Sequence, residues 1–260
     1  MKIGLSIDIR ELEQALPIIF RWNHLIEHIQ IYLDAKASHG DAPILLNFIR
    51  QIPSGITISF HSYGYLNLSE PNETIRSSIL EVGYETIDLL HHINGKFVNF
   101  HLGYSLSSGA SKVDLLQVAR KSVYKLANFA QQYQVEVHIE NDINIEGGLS
   151  LGTTLFDLLT VINKGPNNLF ICYDIGHANL TMNSPYAYRE ILNYIKSMHV
   201  HNNDALEDQH KAFGEEGTID LSSIALDSHL KGREIFFIFE NDLNRCNLAL
   251  ANYERLIREP

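Results

Sequence analysis

Eight short apolar or β-branched runs alternate with eight longer segments of helical period, and that alternation constrains the chain more than any other feature. The runs are Ile3–Ile9, His28–Leu33, Ile56–His61, Phe97–His101, Val135–Glu140, Leu169–Asp174, Ser197–His201 and Ile235–Glu240. The helical segments between and after them are Glu11–Trp22, Pro43–Ile52, Glu73–Ile93, Val113–Tyr133, Thr154–Asn163, Tyr186–Ile195, Leu221–Leu230 and Asn247–Ile257. Within Asp114–Ala130 the apolar residues fall at 115, 116, 118, 119, 123, 126, 127 and 130, the spacing of one buried helical face. Strict βα alternation requires parallel strands and right-handed crossovers. Eight such units close into an α/β barrel, a single (β/α)8 TIM-barrel domain over residues 1–260. An open doubly wound sheet is the structural alternative, but no Gly-rich phosphate loop follows the first run. At 260 residues the length suits one barrel.

The polar residues that close these runs are the chemical signal. The third run ends in His61, the fourth in His101, the fifth in Glu140, the sixth in Asp174 with His177 just beyond, the seventh in His201 and the eighth in Glu240. C-terminal strand ends of a barrel converge on one mouth, so these residues are expected to meet around a small volume. Cys172–Asn179 sets Asp174 and His177 three residues apart across what reads as a glycine turn, and the loop after the seventh run adds Asp208 and His210. Mixed imidazole and carboxylate donors without thiolates suit Zn2+ or Mn2+ at a working site better than a structural zinc. The two cysteines, Cys172 and Cys246, have no metal-type spacing; Cys172 sits in an apolar run and reads as a small buried side chain.

The motifs "FHSYGYLNL" (60–68), "NFHLGY" (99–104), "HIEN" (138–141), "YDIGHAN" (173–179), "HVHNND" (199–204), "DQH" (208–210), "GEEGTID" (214–220) and "FIFEN" (237–241) together resemble the xylose-isomerase-like TIM-barrel superfamily. Within it the match is to AP endonuclease family 2, typified by endonuclease IV, and spans nearly the whole chain. The resemblance implies three metal positions: His61, His101 and Glu140; Glu140, Asp174, His201 and Glu240, with Glu140 bridging; and His177, Asp208 and His210. His199 shares the face of His201, which takes the seventh-strand place through its spacing to Asn203-Asp204. Up to three Zn2+ ions, or Mn2+, are then expected, with Glu140 and Glu240 as the catalytic carboxylates. His138 and His199, one layer lower, are expected to support or pack. Arg10, Lys211 and Arg245 stand nearest the mouth and are the candidates for gripping substrate.

Two activities follow, the first the expected one and the second its alternative. A phosphoester hydrolase uses all nine ligand types, with no protein nucleophile required. A metal-dependent sugar isomerase or epimerase needs only Glu140, Asp174, His201 and Glu240, with a carboxylate moving a proton between adjacent carbons. The expected substrate is a small phosphorylated or sugar-like molecule. Duplex DNA is disfavoured: the formal charge is −11, leaving little counterion-release affinity. Gly64 and Tyr65 also stand where endonuclease IV inserts larger side chains into the base stack. No signal-peptide pattern and no apolar stretch of membrane-spanning length occurs, so a cytoplasmic protein with no membrane partner is expected.

Overall fold

The computed structural model describes residues 1–33, 39–64, 66–107, 109–182 and 184–259, so Tyr65 lies outside the described residues. Eight parallel strands form a closed barrel: β1 Lys2–Asp8, β2 His28–Tyr32, β3 Thr57–His61, β4 Phe97–His101, β5 Glu136–Glu140, β6 Leu169–Asp174, β7 Ile195–Val200 and β8 Phe236–Phe239. β1 pairs with both β2 and β8, which closes the ring. The fold is a TIM barrel. Each strand lies within two residues of the run read from the sequence, because period and flanking turn residues mark strand existence well.

The helices are α1 Leu12–Arg21, α2 Ala42–Gln51, α3 Glu73–His92, α4 Lys112–Gln131, α5 Leu155–Ile162, α6 Ile175–Thr181, α7 Tyr188–Ile191, α8 Leu221–Ala225 and α9 Leu243–Arg258. Side-chain caps start several of them: Asn72 on α3, Ser111 on α4 and Thr154 on α5 each accept backbone N–H bonds of the first turn. Three sequence expectations need correcting, one being the helix expected over Leu221–Leu230, which ends at Ala225. The segment after β6 is not a glycine turn but the first turn of α6, capped by Asp174. The single helix expected over 186–195 is the short α7 followed by a 3-10 turn, Leu192–Tyr194, and Ile195 already belongs to β7.

α3 and α4 pack closely because Gly83 offers no side chain at their contact. A Cβ there would stand 2.6 Å from Cδ2 of Leu126, which is fully buried. The floor of the barrel is filled by Phe97, with the buried His138 ring stacked on it at 3.9 Å and the His28 ring at 5.3 Å. His138 is held between Ser197 and Glu136, and burial keeps its pKa low, so it packs as expected. Both cysteines are buried and unpaired. No helix among the described residues is long and apolar enough to cross a membrane.

This contact gives a stability test. Leu126→Ala removes a buried side chain and should cost about 2–5 kcal/mol. Gly83→Ala gains helix propensity of about 1 kcal/mol but must displace Leu126. In the Leu126→Ala background that obstacle is gone. The double-mutant cycle in urea should therefore make Gly83→Ala more favourable there by at least about 1 kcal/mol. Additive effects would show that the two helices do not meet at this point.

Candidate metal centre

Strand pairing delivers the polar strand ends to one mouth. His61, His101, Glu140 and Asp174 are the last residues of β3, β4, β5 and β6, while His201 and Glu240 follow directly on β7 and β8. Among the described residues five groups of donor atoms result, each with its atoms within 4.8 Å of one another: His61, His101 and Glu140; Glu140, Asp174, His199 and Glu240; His177, His201, Asp208 and His210; His61, His199 and Glu240; and Glu140, Cys172 and His199. All nine predicted ligands therefore lie in these groups. The seventh-strand assignment differs from the expectation. His199 Nδ1 faces Glu140 Oε1 at 2.9 Å, Glu240 Oε2 at 3.1 Å and Asp174 Oδ2 at 3.6 Å, filling the place expected for His201. His201 sits a layer higher, its Nε2 3.0 Å from Asp174 Oδ2 and its ring stacked on that of His210 at 4.0 Å. A period of two puts both side chains on the inner face, and only the stagger between strands decides which one reaches the carboxylates.

All the histidines of these groups except His201 are oriented from outside the cluster. His61 Nδ1–H donates to Ser62 O, His177 Nδ1–H to Asn141 O and His210 Nδ1–H to Glu240 O, all at 2.8 Å. A carbonyl can only accept, so Nε2 of each ring is left as the free donor atom. His101 Nδ1 lies 3.0 Å from the Asp142 carboxylate, which turns its Nε2 toward Glu140. His199 is the reverse case: its Nε2 is 2.8 Å from Gln30 Oε1, and Nδ1 faces inward. Asn99 donates to Glu140 Oε2. This is the outer arrangement that metal-binding imidazoles and carboxylates require.

The electrostatics agree. Glu140 and Asp174 are fully buried, which alone would raise their pKa values, yet His199 and His101 beside Glu140, and His177 and His201 beside Asp174, hold both well below the carboxylate range. Glu240 is likewise held at about 2, burial being outweighed by His199. Burial would lower the histidines, but Asp142 and Glu140 push His101 to about 9, and Asp208 and Glu240 push His210 to about 9. Buried negative charge is thus balanced by protons, which a cation can replace. His201 Nδ1 and Asp208 Oδ1 are buried, have no hydrogen-bond partner among the described residues and stand 3.7 Å apart, an unsatisfied pair that a cation between them would satisfy. The donor set therefore fits a divalent metal.

The third group rests on backbone geometry. His210 has φ +45°, a left-handed conformation uncommon outside glycine. Asn241 Nδ2 and Arg245 Nη1 both donate to His210 O and hold it there. Gly176 is needed for a different reason, since a Cβ there would stand 2.5 Å from His201 Nδ1 and closer still to Cε1.

Of the three cations expected to grip substrate, Arg10 and Arg245 have partners within the chain. Arg10 forks onto Asp8, with Nε 2.8 Å from Oδ1 and Nη2 2.5 Å from Oδ2. Arg245 holds the carbonyls of Gln209 and His210 and lies 3.4 Å from Glu215. Lys211 pairs through its backbone with Asn202, and its ammonium makes no ion pair among the described residues. Sequence reasoning missed Gln30 and Asn99. Their signal was present: each is the central, polar residue of a five-residue strand, two positions from ring-bearing residues on the same face, His28 and Tyr32 for Gln30 and Phe97 and His101 for Asn99.

With the geometry in place, likenesses to known proteins become informative. The profile of the xylose isomerase-like TIM barrel family matches residues 45–241. An uncharacterised protein of Methanocaldococcus jannaschii is 29% identical over 156 residues, covering 58% of this chain and about half, 52%, of the relative. Among solved structures, a D-tagatose 3-epimerase-like protein superposes with a TM-score of 0.81 at 23% identity, covering 100% of this chain and 99% of that one. An L-ribulose 3-epimerase gives 0.73 at 18% identity, covering 99% and 93%.

Two measurements test the centre. A divalent ion that binds only the native state at a hundred times its Kd stabilises it by about 2.7 kcal/mol, roughly 5–10 °C in Tm. EDTA-stripped protein should show that rise with Zn2+ or Mn2+; an unchanged melting curve would count against metal binding. Gly176→Ala should displace the His201 ring and weaken uptake by about tenfold or more. Wild-type affinity in that variant would show that His201 is not held by this contact.

Proposed function

Because the chain belongs to the xylose isomerase-like TIM barrel family, we propose that it is a metal-dependent isomerase or epimerase that moves a proton at a carbon of a sugar-like substrate. The observation that carries this reading is the convergence of two carboxylates from separate strands on one imidazole nitrogen: Glu140 of β5 at 2.9 Å and Glu240 beyond β8 at 3.1 Å, both against His199 Nδ1. Their oxygens lie within 4.8 Å of each other in the group that also holds Asp174. Glu140, Asp174, His199 and Glu240 would hold the cation, Zn2+ or Mn2+ by donor type. When bound, it supplies Lewis-acid polarisation of neighbouring carbonyl and hydroxyl oxygens of the substrate.

The two glutamates then act as a base and an acid on opposite faces of one carbon. One carboxylate takes the C–H proton and leaves an enediolate; the other, which must enter the step carrying a proton taken from solvent, delivers it from the far side, so configuration inverts, and loss of the first proton to solvent restores the starting state. Likeness to the two epimerase structures supports this choice over phosphoester hydrolysis. So does the loop chemistry. In TIM barrels phosphate is commonly received by the loops after strands 7 and 8 and a helix N-terminus. Here the helix starts after those strands are capped by Asp220 and Asp242, whose carboxylates would repel a phosphate. The substrate class proposed is therefore an unphosphorylated sugar-like molecule.

Hydrolysis keeps one specific observation in its favour. The group His177, His201, Asp208 and His210 could hold a further cation, for which epimerisation has no need.

Ketopentoses and ketohexoses incubated with metal-loaded protein in D2O should gain deuterium at the carbon beside the carbonyl, read by proton NMR. Glu140→Gln and Glu240→Gln should each abolish that exchange, whereas His210→Ala should act mainly on KM. Hydrolysis of a small phosphodiester that depends on His210, with no sugar exchange at all, would overturn the reading.

A further inference from the structure

We propose that Gln30 is a positioning residue that selects which nitrogen of His199 faces the metal. The inference rests on the metal-site reading above and extends it to a residue outside the donor groups.

The inner histidines with a clear outer acceptor obey a common rule, and His199 is its exception. His61, His177 and His210 are fixed by backbone carbonyls, and each turns Nε2 inward. His199 has no carbonyl beside Nδ1; that nitrogen is surrounded by the oxygens of Glu140, Glu240 and Asp174. It can donate its lone pair to a cation only if the ring proton sits on Nε2. A proton on Nε2 in a fully buried site needs an acceptor, and the one in contact is Gln30 Oε1 at 2.8 Å. Without it, the proton is favoured on Nδ1, among three carboxylates, where it competes directly with a cation.

The position of Gln30 supports the assignment. It lies mid-strand in β2, between the inward His28 and Tyr32, and is fully buried. A buried glutamine is costly unless its polar atoms are used, yet Nε2 has no hydrogen-bond partner among the described residues. A residue kept there at the expense of an unpaired donor is kept for its carbonyl. The side chain is thus used as an acceptor, in the place that main-chain carbonyls fill for the other rings.

The test compares wild type, Gln30→Met and Gln30→Glu after EDTA stripping. Met keeps length and apolar volume but removes the acceptor; Glu keeps an acceptor. Zinc titration by calorimetry should show Gln30→Met weakened by about ten- to a hundredfold and Gln30→Glu at or above wild-type affinity. In zinc-saturated, 15N-histidine-labelled protein, the slowly exchanging Nε2–H resonance of His199, assigned with His199→Ala, should be present in wild type and Gln30→Glu and lost from Gln30→Met. A packing role would leave that proton unmoved. Equal affinities in all three proteins, or the resonance retained in Gln30→Met, overturns the proposal alone. Wild-type protein that takes up no metal overturns this and the functional reading together. Should Gln30→Met fail to fold, judged by circular dichroism of the stripped protein, Gln30→Leu with the same two readouts decides in its place.

Discussion

A carboxylate with no access to water sits at the centre of this barrel, and much of the surrounding structure exists to make it tolerable. Glu140 is fully buried, and an isolated charge there would cost several kcal/mol. It is met instead by His61 at 3.2 Å, His199 at 2.9 Å and His177 at 3.6 Å, and by the amide of Asn99. Those partners come from β3, β7, α6 and β4. A closed barrel is what brings such separated segments within reach of one side chain, and the charge in turn demands that each partner be oriented. Outer contacts such as Ser62 O, Asn141 O and Gln30 Oε1 follow from that demand.

Several residues serve fold and site at once. Asp174 ends β6, caps α6 by accepting His177 N–H at 2.6 Å, and faces both His199 and His201. Starting a helix directly on a strand end places His177 over Glu140 with no intervening loop, so its position is as rigid as the barrel. The His210 loop is built differently. Its left-handed residue is held by Asn241, Arg245 and the Glu240 carbonyl, tying the loop after β7 to the end of β8. Arg245 clamps the backbone of that loop by donating to the Gln209 and His210 carbonyls.

The choice between proton transfer at carbon and hydrolysis turns on how the donors are shared. Two carboxylates converging on His199 suffice for the first. The further group around Asp208 is surplus to that reaction, although its stacked imidazoles also close the mouth beside Asp174. Asp220 and Asp242 at the helix starts after β7 and β8 argue against phosphate.

Most of the architecture could be read from the chain because it depends on local periodicity. Strand existence, the long helices α3 and α4 and the converging strand-end ligands all follow from the alternation of periods two and 3.6 and from the polar residues that break it. The capped start of α6 was missed because the Ile-Gly pair after Asp174 resembles a turn, and the cap is visible only once the helix is present. Whether His199 or His201 meets Glu140 was beyond sequence reasoning, since both share one face and only the stagger of eight closed strands sets their heights. Gln30 belongs to the same class: it lies 169 residues from the ring it orients. The sequence by itself determined the barrel and most of the polar residues that gather at its mouth. Tertiary structure decided which nitrogen faces which oxygen, because that depends on through-space packing between strands that no local pattern encodes.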